Sequence, residues 1–301
     1  MRIGITGVTG LVGQSVASRA RDEGHQVIGF TRHSGSAVPL AAETLVQPAK
    51  SPGALPETPL DALVHLGGES LMGLWTQAKR KRIWRSRVDV TRELVDQLGR
   101  WRPENRPKVL ICASGIGAYG DRGEEILEES QLPGRGFLAD LCRSWEAAAH
   151  EAEKLDIRVV TLRSGMVLSS EGGALPLLRK VFSFGLGGKL GSGQQWLSWI
   201  HLRDEAGLIL WALGNEQVRG PLNACAPNAV TNATFTRLLA VRLHRPAFVP
   251  VPAFMLRLAL RGMADEMLLC SQHAIPRIAL DLGYVFHHPD LEGALVALIP
   301  E

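Results

Sequence analysis

The chain has 301 residues, enough for one large α/β domain with an appended region, and its 46% hydrophobic and 21% charged content is that of an ordinary soluble globular protein. A net charge of +3 is too small to imply nucleic acid, and the one basic run, "KRKRIWRSR" at 79–87, is expected to be a solvated helix face rather than a DNA or lipid-phosphate patch. No apolar run reaches membrane-spanning length, and Cys112, Cys142, Cys225 and Cys270 are too scattered for a metal cluster, so a cytoplasmic protein with no metal, no nucleic acid and no membrane partner is expected.

In chain order, residues 3–6 are a short buried strand and "GVTGLVG" (7–13) is a glycine-rich turn. "LVGQSVASRARDEG" then carries Leu11, Val12, Val16 and Ala20 at helical spacing, Gly24 ends that helix, and "HQVIGF" is the next strand. The glycines have separate reasons: Gly7 for the tight turn, Gly10 for approach of a pyrophosphate to backbone, Gly13 for close packing of helix on sheet. Phosphates placed there meet unpaired N–H groups and the positive helix end, which makes Gly7, Thr9, Gly10, Leu11, Val12 and Gly13 the expected dinucleotide contacts. The second strand runs into "FTRHS". NAD-preferring folds place an acid here; this chain has Thr31, Arg32 and His33, and Arg32 would attract a 2′-phosphate, so NADP(H) is expected over NAD(H).

"LDALVHLGGES" supplies a buried strand at 62–66, then Gly67 and Gly68, which let a cofactor pass close to backbone. Glu69 is either a ribose or amide contact or a helix N-terminal acid. "VDVTRELVDQLGRW" is an amphipathic helix, "KVLICASGIGAYG" a buried strand ending in a glycine loop, and "DIRVVTLRSGMVL" a further strand. This alternation predicts an α/β fold, a Rossmann-like doubly wound parallel sheet. The NADP(H)-binding part is placed at about 1–165 and a smaller C-terminal substrate-side region at 166–301, with later strands interleaving.

With these come "SRVDVTRELV", "ASGIGAYGDRG", "FLADLCRSWEAAA", "LRSGMVLSSEGGAL", "GLGGKLGSGQQWLSWIHLRDEA", "GPLNACAPNAVTNATFT", "RPAFVPVPAFMLRL" and "LDLGYVFHHPDLEGAL". Over nearly its whole length the chain resembles the extended short-chain dehydrogenase/reductase superfamily, and within it the atypical YfcH-like epimerase family proteins of the NAD-dependent epimerase/dehydratase group. The resemblance implies NADP(H) binding with Thr31, Arg32, Leu66, Gly67, Glu69 and Arg87 near the cofactor, and Ser164 to Met166 beside the nicotinamide half. Relatives imply a homodimer through the helices at 88–100 and 138–154, whose polar faces are equally compatible with a monomer.

The wider superfamily uses a Tyr for proton transfer and a Lys four residues on, one turn away on the same helix face. This chain has two tyrosines; Tyr119 is followed at that spacing by Gly123 and Tyr284 by His288, so no such pair exists. In the matching helix Cys142 and Glu146 lie closest to the two positions, or Leu141 and Trp145 with a one-residue shift, and the stripe Leu138, Leu141, Cys142, Trp145, Ala149 and Ala152 is expected as core. The usual Ser or Thr partner matches Gly115, with Ser114 one earlier. Candidate proton donors are therefore Tyr119, at the end of a sheet strand, where a Tyr-Gly in this loop also reads as structural, His201, which titrates near neutrality and equally fits a core residue before a helix, and then Ser114 and Glu69.

The glycine-rich segment at 185–193, with Lys189, Gln194, Gln195, Trp196 and Trp199, is either a loop over a polar, partly planar ligand or a structural loop with core tryptophans. Thr231 or Asn232 is expected to cap a helix. "RPAFVPVPAFMLRLALRG" ends in an apolar helix, expected in the core or a dimer contact rather than on a membrane surface. The expected function is an NADP(H)-binding oxidoreductase or nucleotide-sugar epimerase-like protein acting on a nucleotide-sugar or small carbonyl compound. The alternative is an NADP(H)-binding sensor or regulatory protein without turnover.

Overall fold

The computed structural model describes residues 1–31, 43–46, 53 and 55–300; Arg32 and His33 lie outside the described residues. Its strands are β1 (Arg2–Thr6), β2 (Gln26–Thr31), β3 (Glu43–Val46), β4 (Ala62–His65), β5 (Val109–Gly115), β6 (Ile126–Leu127), β7 (Arg158–Ser164), β8 (Met166–Leu168), β9 (Trp196–Leu197), β10 (Trp199–His201), β11 (Gly220–Ala224), β12 (Val230–Thr231) and β13 (His273–Ala274). The longer helices are α1 (Leu11–Asp22), α2 (Gln77–Trp84), α3 (Val90–Arg100), α4 (Phe137–His150), α5 (Ala174–Ser183), α6 (Leu202–Gly214), α7 (Asn232–Arg242), α8 (Ala253–Leu260), α9 (Arg277–Asp281) and α10 (Leu291–Leu298).

Seven strands form one parallel sheet in the order β11-β7-β5-β4-β1-β2-β3. Its inner strands read as unbroken apolar runs because helices cover both faces. One face packs on α1 and α6 through Ile3, Ile5, Val16, Ala20, Leu162 and Leu208. The other packs on α3 and α4 through Leu63, Leu94, Leu98, Leu110, Leu141 and Trp145. The predicted α4 stripe is buried as expected. Strand order reverses between β1 and β4, and in such sheets ligands bind in the crevice beyond the strand ends at that point.

The segment expected as one strand at 156–168 is two. At Gly165 an added Cβ would come within 2.7 Å of the Ser198 carbonyl oxygen, and the chain turns there out of the sheet to pair β8 with β10. From the C-terminal part, β11 returns to pair with β7, while α5, α7 and α10 build a third core around Phe182, Trp199, Phe235 and Leu295. Thr231 caps α7, accepting the Thr234 N–H at 3.2 Å. The apolar helix α8 is not core: it has no buried residue. No helix among the described residues is long and apolar enough to cross a membrane.

Candidate cofactor and active site

The turn after β1 is shaped by two glycines that the chain itself demands. Gly7 sits at φ +71, and a Cβ there would meet the Gly67 nitrogen at 2.9 Å, so the loops after β1 and β4 touch. A Cβ at Gly13 would fall 2.3 Å from the Gly7 carbonyl oxygen, which is what brings α1 against the turn. Gly10 differs. It has an ordinary φ of −80, is exposed, and its nearest Cβ neighbour is the Gly7 oxygen at 3.2 Å. It is the N-cap of α1, and no side chain caps the helix's first N–H groups. Thr9 is exposed beside it, and Leu11 and Val12 are half-buried at the start of α1.

The opposite wall is the loop after β4. Half-buried Leu66 leads to Gly67, in front of which only Thr6 Oγ1 comes near, at 3.9 Å. Gly68 is exposed, and a Cβ there would meet the Arg87 guanidinium at 3.0 Å. Arg87 Nη1 donates to the Glu69 carbonyl (2.9 Å), and the guanidinium stacks over Trp145 at 5.2 Å. Glu69 is not a helix N-terminal acid, since α2 begins at Gln77; Lys79 of α2 donates to its carboxylate at 2.8 Å, and that bond and charge hold its pKa low. Thr31 is buried at the end of β2.

Beneath this crevice a buried chain of hydrogen bonds ties four elements. Thr6 Oγ1 and His65 Nδ1 are 2.7 Å apart, His65 Nε2 and Thr91 Oγ1 3.1 Å, and Trp145 Nε1 donates to Thr91 at 2.9 Å. Burial drives the His65 pKa down to about 4, so at neutral pH the ring carries one proton and serves as both donor and acceptor. The ends of β1 and β4 are thereby fixed to α3 and α4.

The other expected proton donors fare differently. Tyr119 is fully buried, its hydroxyl donating to Asn223 Oδ1 (2.8 Å) and the Glu128 carbonyl (3.1 Å), with its pKa pushed by burial to about 12. That is a structural tyrosine, contrary to the expectation of a donor. His201 caps α6: Nδ1 accepts the Arg203 N–H at 3.0 Å and the ring stacks on His288 at 3.9 Å. Burial, then the neighbouring His288, lower its pKa to about 4; a neutral imidazole is a poor acid, which corrects that expectation too. Ser114 remains at the sheet's carboxyl edge, donating to Glu146 Oε1 at 2.7 Å.

Glu146, near the expected lysine position, is buried and held by Arg163 in two bonds, Nε to Oε1 at 2.9 Å and Nη2 to Oε2 at 2.8 Å. Cys142, near the expected tyrosine position, is no substitute: burial, then the Glu146 charge, raise its thiol to about 11. A second serine–carboxylate pair stands one strand away. Ser164 ends β7 in register with Gly115, and its hydroxyl donates to Glu205 Oε1 at 2.6 Å. Glu205 is 1% exposed, its other oxygen has no partner, and burial raises its pKa to about 7. No local motif announces this pair, whose members are 41 residues apart. Half-buried Met166 follows, its N–H donating to the Ser198 carbonyl at 2.9 Å.

The glycine-rich loop is mainly structural. Trp199 is fully buried, Gln195 Nε2 binds two backbone carbonyls, and Trp196 stacks on His273 at 3.9 Å. The basic run at 79–87 lies on α2 and the turn after it, with Lys81, Arg82 and Arg85 exposed.

A family model described as "NAD dependent epimerase/dehydratase family" matches residues 3–225, and one described as "Domain of unknown function (DUF1731)" matches 251–298. The chain is 38% identical over 305 residues to epimerase family protein YfhF of Bacillus subtilis, covering 100% of this chain and 99% of the relative. It is 35% identical over 309 residues to the chloroplastic SDR39U1 homolog of Arabidopsis thaliana, covering 99% and 87%. The crystal structure of human epimerase family protein SDR39U1 with NADPH superposes at a TM-score of 0.89, with 31% identity and 99% of each chain covered. A nucleoside-diphosphate sugar epimerase from Corynebacterium glutamicum superposes at 0.78 with 32% identity, over 99% of this chain and 58% of that one. The sequence match across the sheet and the glycine-lined crevice agree: the chain belongs to the NAD-dependent epimerase/dehydratase family.

Proposed function

We propose that this chain is an NADP(H)-dependent oxidoreductase or epimerase-like enzyme that acts on a small carbonyl compound or nucleotide-sugar without a Tyr-xxx-Lys pair. The observation that carries this reading is the glycine-lined turn at the α1 N-terminus, where a Cβ at Gly10 would meet only the Gly7 carbonyl oxygen, one at Gly67 only Thr6 Oγ1, and no side chain caps the helix. The NADPH in the human relative and Arg32 after β2 support the phosphorylated dinucleotide. When bound, the nicotinamide gives or takes the hydride.

This chain's own residues supply orientation and the proton. Ser114 gives its hydrogen to Glu146, so its lone pairs remain to accept a bond from a substrate hydroxyl. A carboxylate locked to Arg163 is a poor proton source. Glu205 is better matched, because a carboxyl that titrates near 7 is half protonated at neutral pH and can return a proton through the Ser164 hydroxyl. The test is NADPH consumption against a panel of carbonyl compounds and nucleotide-sugars, with wild type, Ser164→Ala and Glu205→Gln. Turnover in wild type, with both variants slowed at least tenfold at unchanged NADPH affinity, supports the reading; equal turnover in all three refutes the proton route. One feature favours the second reading, a sensor without turnover: the helix position that should hold a free lysine holds a carboxylate in a closed ion pair. Tight NADPH binding with no consumption on any substrate would select it.

A further inference from the structure

The C-terminal third carries an apolar surface that the cofactor site does not use. Helix α8 has no fully buried residue and packs inward only through half-buried side chains such as Leu260; Phe254 is 68% and Leu258 82% exposed, and Phe248 just before it is 87% exposed. Residues 254, 255 and 258 share one helix face, and Arg257 and Arg261 border it, Arg257 paired to Asp265 at 2.7 Å. Next to it lies a groove of about 730 Å³ lined by Lys189, Arg237, His244, Arg245 and Phe248. The two are continuous: the Val249 N–H donates to the Gly187 carbonyl and the Val251 N–H to the Lys189 carbonyl, which joins the segment before α8 to the glycine-rich loop.

Charge distinguishes this surface from the rest of the chain. Residues 173–203 and 217–263 contain ten Lys and Arg and no Asp or Glu, whereas the remainder of the chain has 23 Lys and Arg against 30 Asp and Glu. Among the described residues Lys189, Arg237 and Arg245 form no ion pair. We propose that this face docks on an anionic phospholipid bilayer, with Phe248, Phe254 and Leu258 entering the acyl boundary and the groove cations meeting headgroup phosphates. An apolar face rimmed by cations is what an interfacial helix requires, and it needs no spanning segment. A second copy of the chain is the poorer occupant, because a two-fold contact would press this cation-rich surface against its own like charges.

The test is flotation of the purified protein with phosphatidylcholine vesicles and with the same vesicles carrying one third phosphatidylglycerol. The protein is expected to float with the anionic vesicles only and to be released by salt. Arg237→Gln with Arg245→Gln should lower partitioning roughly 25-fold, about fivefold per cation. Phe254→Ser with Leu258→Ser should abolish it while leaving the thermal midpoint unchanged, since neither side chain is buried. No flotation on anionic vesicles, equal flotation on neutral ones, or variants that float like wild type would each overturn the proposal. So would light scattering that shows a dimer which Leu258→Ser dissolves, assigning the face to a second copy.

Discussion

Glu205→Gln gives the sharpest physical test of the buried carboxyl behind Ser164. In the folded protein this group titrates near 7, against an ordinary value of 4.5. Between those values the native state holds a proton that the unfolded chain has released, so the group's contribution to stability is full below pH 4.5 and is lost as pH rises through 7. At about 1.4 kcal/mol per pH unit the gap corresponds to about 3 kcal/mol. Glutamine keeps an acceptor for the Ser164 hydroxyl at 2.6 Å and cannot ionise. The assay is urea unfolding of wild type and variant at pH steps from 5 to 8. The variant should gain on wild type by about 2.5 kcal/mol from pH 5 to 8, levelling off above pH 7. His65 and His201, lowered to about 4, shift stability the opposite way as pH rises toward 6.5, but they are common to both proteins and cancel in the difference. A difference that stays flat with pH would refute the reasoning.

The glycine turn separates fold from ligand. Gly13→Ala should cost at least about 2 kcal/mol in denaturant unfolding, because its Cβ would meet backbone at 2.3 Å. Gly10→Ala should leave stability within about 1 kcal/mol yet weaken NADPH at least tenfold by calorimetry, since its φ of −80 suits any residue and the space ahead of it is what the pyrophosphate needs. Glu146→Gln should destabilise by about 3–5 kcal/mol, leaving the Arg163 guanidinium buried without its charge partner. Tyr119→Phe should cost about 1–2 kcal/mol by thermal or denaturant unfolding through its lost bond to Asn223, and any NADPH turnover should survive.

What was legible in the sequence was what short-range pattern encodes. The turn at 7–13 sits between a strand and a helix, and its outer glycines are needed for the backbone reasons their spacing implied. The α4 stripe and the Thr231 cap likewise follow from helical period and side-chain chemistry. The rest depended on contacts between distant segments. Gly68 lies against Arg87, 19 positions on, and Gly165 against Ser198, neither of which spacing can show. Tyr119 lies at a strand end, as expected, but Asn223 captures its hydroxyl from 104 residues away. Ser164 and Glu205 carry no motif, and only the pairing of β7 with its neighbours and the packing of α6 bring them together. α8 has a helix's composition, and nothing in its period tells an exposed apolar face from a buried one.

Binding of a phosphorylated dinucleotide in the glycine-lined crevice is read out by calorimetric titration of the purified protein with NADPH and with NADH, repeated on Arg32→Ala. Tight binding of NADPH, weak binding of NADH, and loss of that preference in the variant are expected. Binding of neither nucleotide would contradict a dinucleotide site in the crevice, and equal binding of both by wild type would refute the assignment of Arg32 to the 2′-phosphate.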